Sequence, residues 1–495
     1  MKNIVIIMGD QHRCDCIGAY GNRDIQTPNL DKLAEDGVLY QEHYTTYPVC
    51  TPSRYSMLSG LYTHQHMGWD NHCTLPAGLP TYPRIFSAHG YRTAAIGKMH
   101  MTPVYLDVGF QKMVLAEQDG DGRFEDDYHW YLKEKNELDE NDIIDQRQEF
   151  RKLAGKEYWD SFGASGSNLS GQDHSTSWIT DRALEELGEW GPEKNMMLVS
   201  YIKPHHPFDP PAPYDTMYQP ENLELLPGYT ENVPEVDYEH SHGYFDHRDL
   251  DRRRLKKVMA CYYGSITHMD YHIGRIIHAL KDMGVYDDTL ILYTSDHGDY
   301  MGYHHMLLKA NYMYDPLVKI PLIVKFPGGK HHGKVNTNLC NHLDIAPMLL
   351  HQAGIAVPDE MKGLDIGCQS AGREMTLCEG LRVDHYGEEK KQYYEYMVRS
   401  RRYKLIINKN LHSCRFFDLE KDPFELHDVA GQKEYSRELE RHRDYLFQTL
   451  VFDAPSPVYL NGQERLSEEG AKRDSKRKTL MQEYCRTRYL LRKKT

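Results

Sequence analysis

The chain of 495 residues contains no apolar run near the ~20 residues that a membrane-spanning helix requires, which excludes a helical membrane protein. Basic residues are in the minority. Fifty-nine Lys and Arg against 73 Asp and Glu give a formal net charge of −14, which speaks against a nucleic acid or an anionic membrane as partner for the whole molecule. A local basic pocket for an anionic substrate remains compatible with that balance. Cysteine is sparse, ten residues without regular spacing, the usage of a reducing compartment rather than of a disulfide framework. The close pair Cys14-Asp15-Cys16 reads as two partly buried thiols. No internal repeat or low-complexity stretch is present. The N-terminal apolar run, Asn3 to Gly9, is too short for a leader, lacks a small-residue cleavage site and ends on Asp10, so a cytoplasmic protein is expected.

What is present is organised around Val49-Cys50-Thr51-Pro52-Ser53-Arg54. Proline fits the first turn of a helix, where its fixed φ suits and its missing N–H has no partner to lose. Cys50 then stands at a helix N-terminus, where free N–H groups and the dipole favour an anion, with Arg54 one turn on. The residue-level reading is a cysteine of low pKa placed to meet an anionic ester.

Asn3–Gly9 is a continuous β-branched run, the pattern of a strand buried on both faces of a parallel sheet, and Asp10-Gln11 follow at its carboxyl end, where open α/β sheets bind ligands. Thr289–Ser295 repeats the arrangement, followed by Asp296-His297-Gly298-Asp299. Two such pairs can close a four-ligand cation site. After the segment Tyr91–Gly97 comes Lys98-Met99-His100, whose i, i+2 spacing predicts an extended stretch with Lys98 and His100 on one side. A strand at Met196–Ile202 runs into Lys203-Pro204-His205-His206-Pro207, two histidines held extended between prolines, with Lys203 as a further positive charge. Helices are expected at 175–190 and 254–284. Residues 117–157 read as an acidic insertion at the pocket mouth; Asp119-Gly120-Asp121-Gly122 is not an EF-hand, because Arg123 and the glutamate spacing break the pattern. Asp70 and Asn71 are placed on a loop that can line the pocket. Beyond about residue 372 the texture changes to short alternating strands, and 472–495 is basic and helix-prone, read as a solvated tail.

Cys50-x-Pro52-Ser53-Arg54 resembles the maturation signature of type I sulfatases. The TPNLD segment from Thr27, Gly97-Lys98-x-His100, Pro204-His205-x-Pro207-Phe208, Ser295-Asp296-His297-Gly298, Lys309 and the stretch Asp418–Glu425 resemble further elements of that family, in family order. The resemblance implies an alkaline-phosphatase-like α/β fold: a large mixed, mostly parallel sheet flanked by helices over 1–372, and a C-terminal subdomain over 373–495 with a small antiparallel sheet and a basic helical tail. It implies a sulfuric ester hydrolase in which Cys50 is converted to Cα-formylglycine by a formylglycine-generating or radical maturase. A divalent cation, Ca²⁺ in first place with Mn²⁺, Mg²⁺ and Zn²⁺ as alternatives, is implied at Asp10, Gln11, Asp296 and His297, touching residue 50. Arg54 then anchors the nucleophile and cation, Lys98 and Lys309 hold sulfate oxygens, His205 acts as general acid and His100 orients the nucleophile, with Asn71 as a substrate contact. Loops 64–76, 101–175 and 208–250 are expected to choose the substrate, a small sulfated saccharide. One departure stands out. Many sulfatases carry Asp-Asp and Asp-Asn where this chain has Asp10-Gln11 and Asp296-His297, and the latter pairing also occurs in phosphonate monoester and phosphodiester hydrolases, the alternative activity.

Overall fold

The computed structural model describes residues 2–118, 122–233, 237, 245, 247, 250–309, 312–367, 371–386, 389–408, 413–452 and 476–492. Asp119-Gly120-Asp121 therefore lie outside the described residues.

Strands β1 (Asn3–Gly9), β2 (Val38–Tyr40), β3 (His43–Tyr44), β4 (Tyr91–Gly97), β5 (Lys112–Leu115), β6 (Lys194–Tyr201), β7 (Thr289–Ser295), β8 (Leu322–Lys325), β9 (Lys334–Asn336) and β10 (Cys340–Asn341) belong to the first part of the chain. Eight of them form one sheet in the order β5-β4-β6-β1-β7-β8-β2-β9, and β3 pairs with β10 in a short ribbon. The five strands from β5 to β7 are mutually parallel, whereas β8 runs antiparallel to both β7 and β2. The unbroken apolar run of β1 has a simple cause, because its alternating side chains enter two separate cores. Ile4, Ile6 and Met8 face one layer with Leu290 and Leu292 of β7, and Val5 and Ile7 face the other with Ile291 and Tyr293.

Helices cover both faces. The first layer includes the helices Cys50–Ser59, Tyr82–Ala88 and Ile345–Gln352; the second includes Pro28–Glu35, Ser175–Gly188 and the C-terminal half of the 31-residue helix Arg252–Asp282. The last two match the expected helices to within two residues.

A second, four-stranded antiparallel sheet follows, β11 (Thr376–Tyr386), β12 (Glu389–Arg399), β13 (Tyr403–Asn408) and β14 (Ser413–Asp418), paired in sequence order. The helix Ser436–Phe452 packs on it through Leu439 and Leu446. The basic tail departs from the reading of a solvated helix. Lys476–Arg492 is helical, and Met481, Cys485 and Tyr489, one turn apart along a single face, are buried against Phe124, Leu138, Ile143 and Phe150. Among the described residues no helix is long and apolar enough to cross a membrane.

Candidate active site

Four neighbouring strands end together. Lys98 follows β4, Lys203 to His205 follow β6, Asp10 follows β1 and Asp296 follows β7, and these strands are adjacent in the order β4-β6-β1-β7. The side chains that the sequence spreads over nearly 300 positions therefore converge on one edge. Gly97 makes the exit from β4 possible: its φ is 98°, a Cβ there would meet Ser200 O at 2.0 Å, and this close approach lets Lys98 N donate to Ser200 O at 2.8 Å.

The helix Cys50–Ser59 is set over these ends. Its residues are all buried, with Cys50 in the first position after the extended Val49. No side chain of the preceding residue caps it; instead Thr51 N donates to Asn71 Oδ1 at 3.1 Å. Arg54 faces the strand ends. Its Nε donates to Asp296 Oδ2 at 2.9 Å, its Nη2 to Asp10 Oδ2 at 2.9 Å, and its Nη1 to Lys98 O at 2.6 Å and Ser200 Oγ at 2.9 Å. One planar guanidinium thus ties together the ends of all four strands, a task for which its fork of donors is suited and a lysine's point charge is not.

Asp10, Cys50, Asp296 and His297 each present a ligand atom within 4.8 Å of the others, a cluster buried throughout. Gln11 Nε2 donates to Asp299 Oδ2 at 2.5 Å, which leaves its Oε1 buried without a hydrogen-bond partner. An orphaned amide oxygen beside two carboxylates and an imidazole is a donor set that fits a divalent cation, with oxygen ligands for a hard ion and the imidazole widening the choice. The carboxylates respond to crowding. Asp296 is raised by burial and by the neighbouring Asp10, whereas Asp10 lies well below the usual range, because Lys98, His205 and Arg54 outweigh its burial and the charge of Cys50. Gln11 (φ 64°) and His100 (φ 54°) occupy the left-handed region, a strain of about 1–3 kcal/mol each that such sites tolerate.

Around Cys50 the field is positive. Lys309 Nζ is 3.0 Å from its Sγ and His297 Nε2 3.2 Å, and the His100 ring hydrogen-bonds the same sulfur. Burial opposes ionisation of the thiol, but Lys309, Lys98 and His297 hold it well below its ordinary range. Lys98 is fully buried with Nζ 2.9 Å from Asp10 Oδ2. His205 Nε2 lies 2.8 Å from Lys309 Nζ, and burial together with Lys309 and Lys98 pushes this histidine well below its ordinary range.

The neighbouring residues agree with some of the sequence readings and revise others. His206, stacked on His205 at 4.3 Å, is turned away to Asp145 Oδ2 at 2.5 Å. Lys203 is committed to an ion pair with Asp209 and adds no charge to the pocket. The stretch after β4 is not extended to its end, since His100 turns into the left-handed region and is fixed by its backbone, with His100 N donating to Glu117 Oε1 and Oε2 at 3.0 Å. Glu117 also accepts from Met99 N at 2.9 Å, and Gln118 Oε1 lies 3.5 Å from Lys98 Nζ. The start of the acidic stretch is therefore a buried support beneath Lys98 and His100 rather than a rim at the pocket mouth. No motif announced Glu117 or Gln118; their place directly after β5, beside β4 in the sheet, was the available signal. Asn71 is engaged at the helix start through its oxygen. The Cys14–Cys16 pair is buried, with relative exposures of 8% and 0%.

Comparison with known proteins agrees with this geometry. The sulfatase family model matches residues 2–355, and the model described as N-sulphoglucosamine sulphohydrolase, C-terminal, matches residues 302–449. An arylsulfatase of Clostridium perfringens is 32% identical over 476 residues, covering 91% of this chain and 93% of its own. An N-acetylglucosamine-6-O-sulfatase of Bacteroides thetaiotaomicron is 24% identical, covering 94% and 90%. In fold, the phosphonate monoester hydrolase of Agrobacterium radiobacter superimposes with a TM-score of 0.74 at 24% identity, over 92% of this chain and 96% of its own. With a family model spanning most of its length and a relative of that identity along nearly all of it, the chain belongs to the sulfatase family.

Proposed function

We propose that this sulfatase cleaves the sulfate ester of a small saccharide at the β4-β6-β1-β7 edge, with residue 50 as nucleophile after a formylglycine-generating or radical maturase has oxidised Cys50 to Cα-formylglycine. The observation that carries the reading is the placement of Cys50 itself. It begins a buried helix, belongs to the donor cluster with Asp10, Asp296 and His297, and has Lys309 at 3.0 Å. The modified residue supplies an oxygen nucleophile, and a divalent cation held by Asp10, Gln11, Asp296 and His297, Ca²⁺ in first place, supplies Lewis-acid polarisation of a sulfate oxygen.

The chain's own residues do the rest. Arg54 fixes both aspartates at once and so sets the spacing of the donor set. Lys309 and Lys98 offset the charge of the sulfate oxygens; burial opposes their charge, and Asp10, with Asp296 for Lys309, favours it after Cys50 has lost its thiol. His205 is neutral in the resting pocket under the influence of burial and Lys309. A sulfate anion seated against Lys309 cancels that influence and raises the affinity of His205 for a proton, which it delivers to the oxygen of the departing alcohol as a hydroxyl oxygen of the hydrated residue 50 bonds to sulfur and the S–O bond to the alcohol breaks. The second hydroxyl of the hydrate then loses its proton, the new O–S link is expelled as sulfate and the aldehyde returns. His100, its backbone locked by Glu117, holds the nucleophile side of residue 50. Water excluded from so buried an edge strengthens each of these interactions.

The saccharide assignment is supported by the relative named for an N-acetylglucosamine sulfate and by the polar loops around the edge. A cytoplasmic setting is supported by the described cysteines, which are free thiols. The donor pairing Asp-Gln with Asp-His and the fold shared with a phosphonate monoester hydrolase keep that activity as the second reading. Two measurements test the proposal. Mass spectrometry of the peptide containing Cys50, after co-expression with each maturase type, should show the aldehyde. The purified enzyme should then turn over 4-nitrophenyl sulfate with a higher kcat/KM than phenyl phosphonate monoesters; the reverse order refutes the sulfatase assignment, and a persistent thiol refutes the nucleophile.

A further inference from the structure

The helix Glu140–Gln146 begins at Asp139, whose carboxylate accepts from Asp142 N at 3.1 Å. Residues four apart on a helix share a face, so Asp142 and Gln146 lie on the same side. That side is turned to the segment after β6: Gln146 Nε2 donates to His206 O at 3.1 Å, and Asp142, itself paired with Arg123, accepts from Gln118 Nε2 at 2.7 Å. Gln118 is completely buried, three residues after β5. Its Nε2 also donates to His206 O, at 2.8 Å. Both partners of that nitrogen are accepting oxygens, which fixes which way round the amide lies and leaves Oε1 facing Lys98 Nζ at 3.5 Å.

The His206 carbonyl collects a third contact, from His205 Nδ1 at 2.6 Å. A carbonyl can only accept, so Nδ1 carries the hydrogen, and in the neutral ring Nε2 keeps the lone pair. That lone pair faces Lys309 Nζ at 2.8 Å. Two contacts therefore hold the ring, and they do different things. Stacking on His206, at 4.3 Å with the planes 23° apart, sets the plane of the ring but permits both edge orientations related by a half-turn about Cβ–Cγ. The hydrogen bond from Nδ1 selects one of them.

We propose that Gln118 is a positioning residue for His205: by holding the His206 carbonyl it keeps the Nδ1 edge of the ring inward and Nε2 aimed at the oxygen of the departing alcohol. Gln146, the longer of the two amide contacts, is the weaker support. The inference rests on the reading of His205 as general acid in the sulfatase proposed above, from which its test separates it.

The test compares two aryl sulfates on the matured full-length enzyme. 4-Nitrophenolate leaves readily without a proton, whereas unsubstituted phenolate gains from one, so phenyl sulfate reports on the acid and 4-nitrophenyl sulfate largely does not. A general loss of structure, or loss of the Lys98 contact alone, lowers both rates alike and leaves their ratio unchanged. In Gln118→Met, kcat/KM for phenyl sulfate should fall about tenfold or more beyond the fall for 4-nitrophenyl sulfate. Gln146→Met should move the ratio in the same direction by less, and the melting temperature is read for each variant. Nitrogen NMR of labelled histidine on the full chain supplies a readout independent of turnover. With His205→Ala to assign the signals, His205 of the wild type should show a protonated Nδ1 and a bare Nε2, and Gln118→Met should mix the two tautomers. A protonated Nε2 in the neutral wild-type ring overturns the inference, as does a ratio that His205→Ala shifts and both glutamine variants leave unchanged. An unshifted ratio in His205→Ala overturns the acid assignment instead, and failure of the aldehyde-bearing wild type to hydrolyse either ester overturns the sulfatase reading; in both cases the nitrogen spectra still decide whether Gln118 holds the ring.

Discussion

Replacing Arg54 is the most demanding test of how the site is assembled. Arg54→Ala removes four hydrogen bonds, two of them to carboxylates that are completely buried, and leaves Asp10 and Asp296 facing one another without their shared cation. Breaking one side of a buried ion pair costs about 3–5 kcal/mol. At about 2.1 cal/mol/K of unfolding entropy per residue, 495 residues melting as one unit give about 1 kcal/mol/K, so the expected fall in melting temperature is about 3–5 °C. Arg54→Lys keeps a positive charge but cannot reach both carboxylates and Lys98 O together, so an intermediate fall is expected. Because Arg54 orients the two aspartates, kcat/KM for an aryl sulfate should drop by at least about tenfold to a hundredfold in both variants. Scanning calorimetry and steady-state kinetics on the same preparations read the two effects. A melting temperature within about 1 °C of wild type, together with unchanged kcat/KM, would falsify the view that this guanidinium holds the strand ends in register for chemistry.

Other perturbations address separate parts of the molecule. Glu117→Ala leaves the amides of Met99 and His100 buried without acceptors, a cost of about 1–3 kcal/mol each, which urea unfolding should register alongside a fall in kcat; a change confined to KM speaks against a positioning role. Chelation should abolish activity, and elemental analysis after reconstitution should find one divalent ion per chain, lost in Asp296→Asn; full activity in an ion-free preparation refutes the cation site. His174, His268 and His272 form a second buried cluster, with ring centroids 5.1 and 4.7 Å apart, and burial, aided by their neighbours' charges, lowers all three, His272 to about 3. Their folded pKa values lie below the unfolded one, so their stability is complete above pH 6.5 and is lost as the pH falls toward the folded values. At pH 5.5 each withheld proton costs about 1.4 kcal/mol. In His268→Gln the stability lost at pH 5.5 relative to neutral pH should therefore shrink by about 1.4 kcal/mol, and an unaltered loss excludes His268 as a contributor.

The parts of the site legible in the sequence share a physical reason. A strand buried on both faces cannot hide: β1 and β7 are continuous apolar runs, and the polar residue that ends each run, Asp10 or Asp296, is marked by contrast. Cys50 and Arg54 were marked by helix-start chemistry, and His205 by its flanking prolines. What stayed hidden depends on tertiary placement. Glu117 and Gln118 look like the beginning of any acidic loop, and only the pairing of β5 with β4 carries them under Lys98 and His100. The tail was misjudged because its composition is basic, while the three residues that dock it occupy one narrow stripe spaced a turn apart. The turn at His100 was missed for a similar reason: a positive φ in a non-glycine residue is imposed by its surroundings and leaves no trace in residue type.

The complete burial of Cys50 also sets a schedule. A side chain with 0% exposure offers nothing to another enzyme, so any modifying enzyme must reach it before the sheet, the helix and the pocket wall have assembled. Lys309, whose Nζ lies 3.0 Å from the Cys50 sulfur, is made 259 residues after Cys50. At ~5–20 residues per second, synthesis separates the two by roughly 13–52 s. For that interval the part of the enclosure that Lys309 supplies does not yet exist.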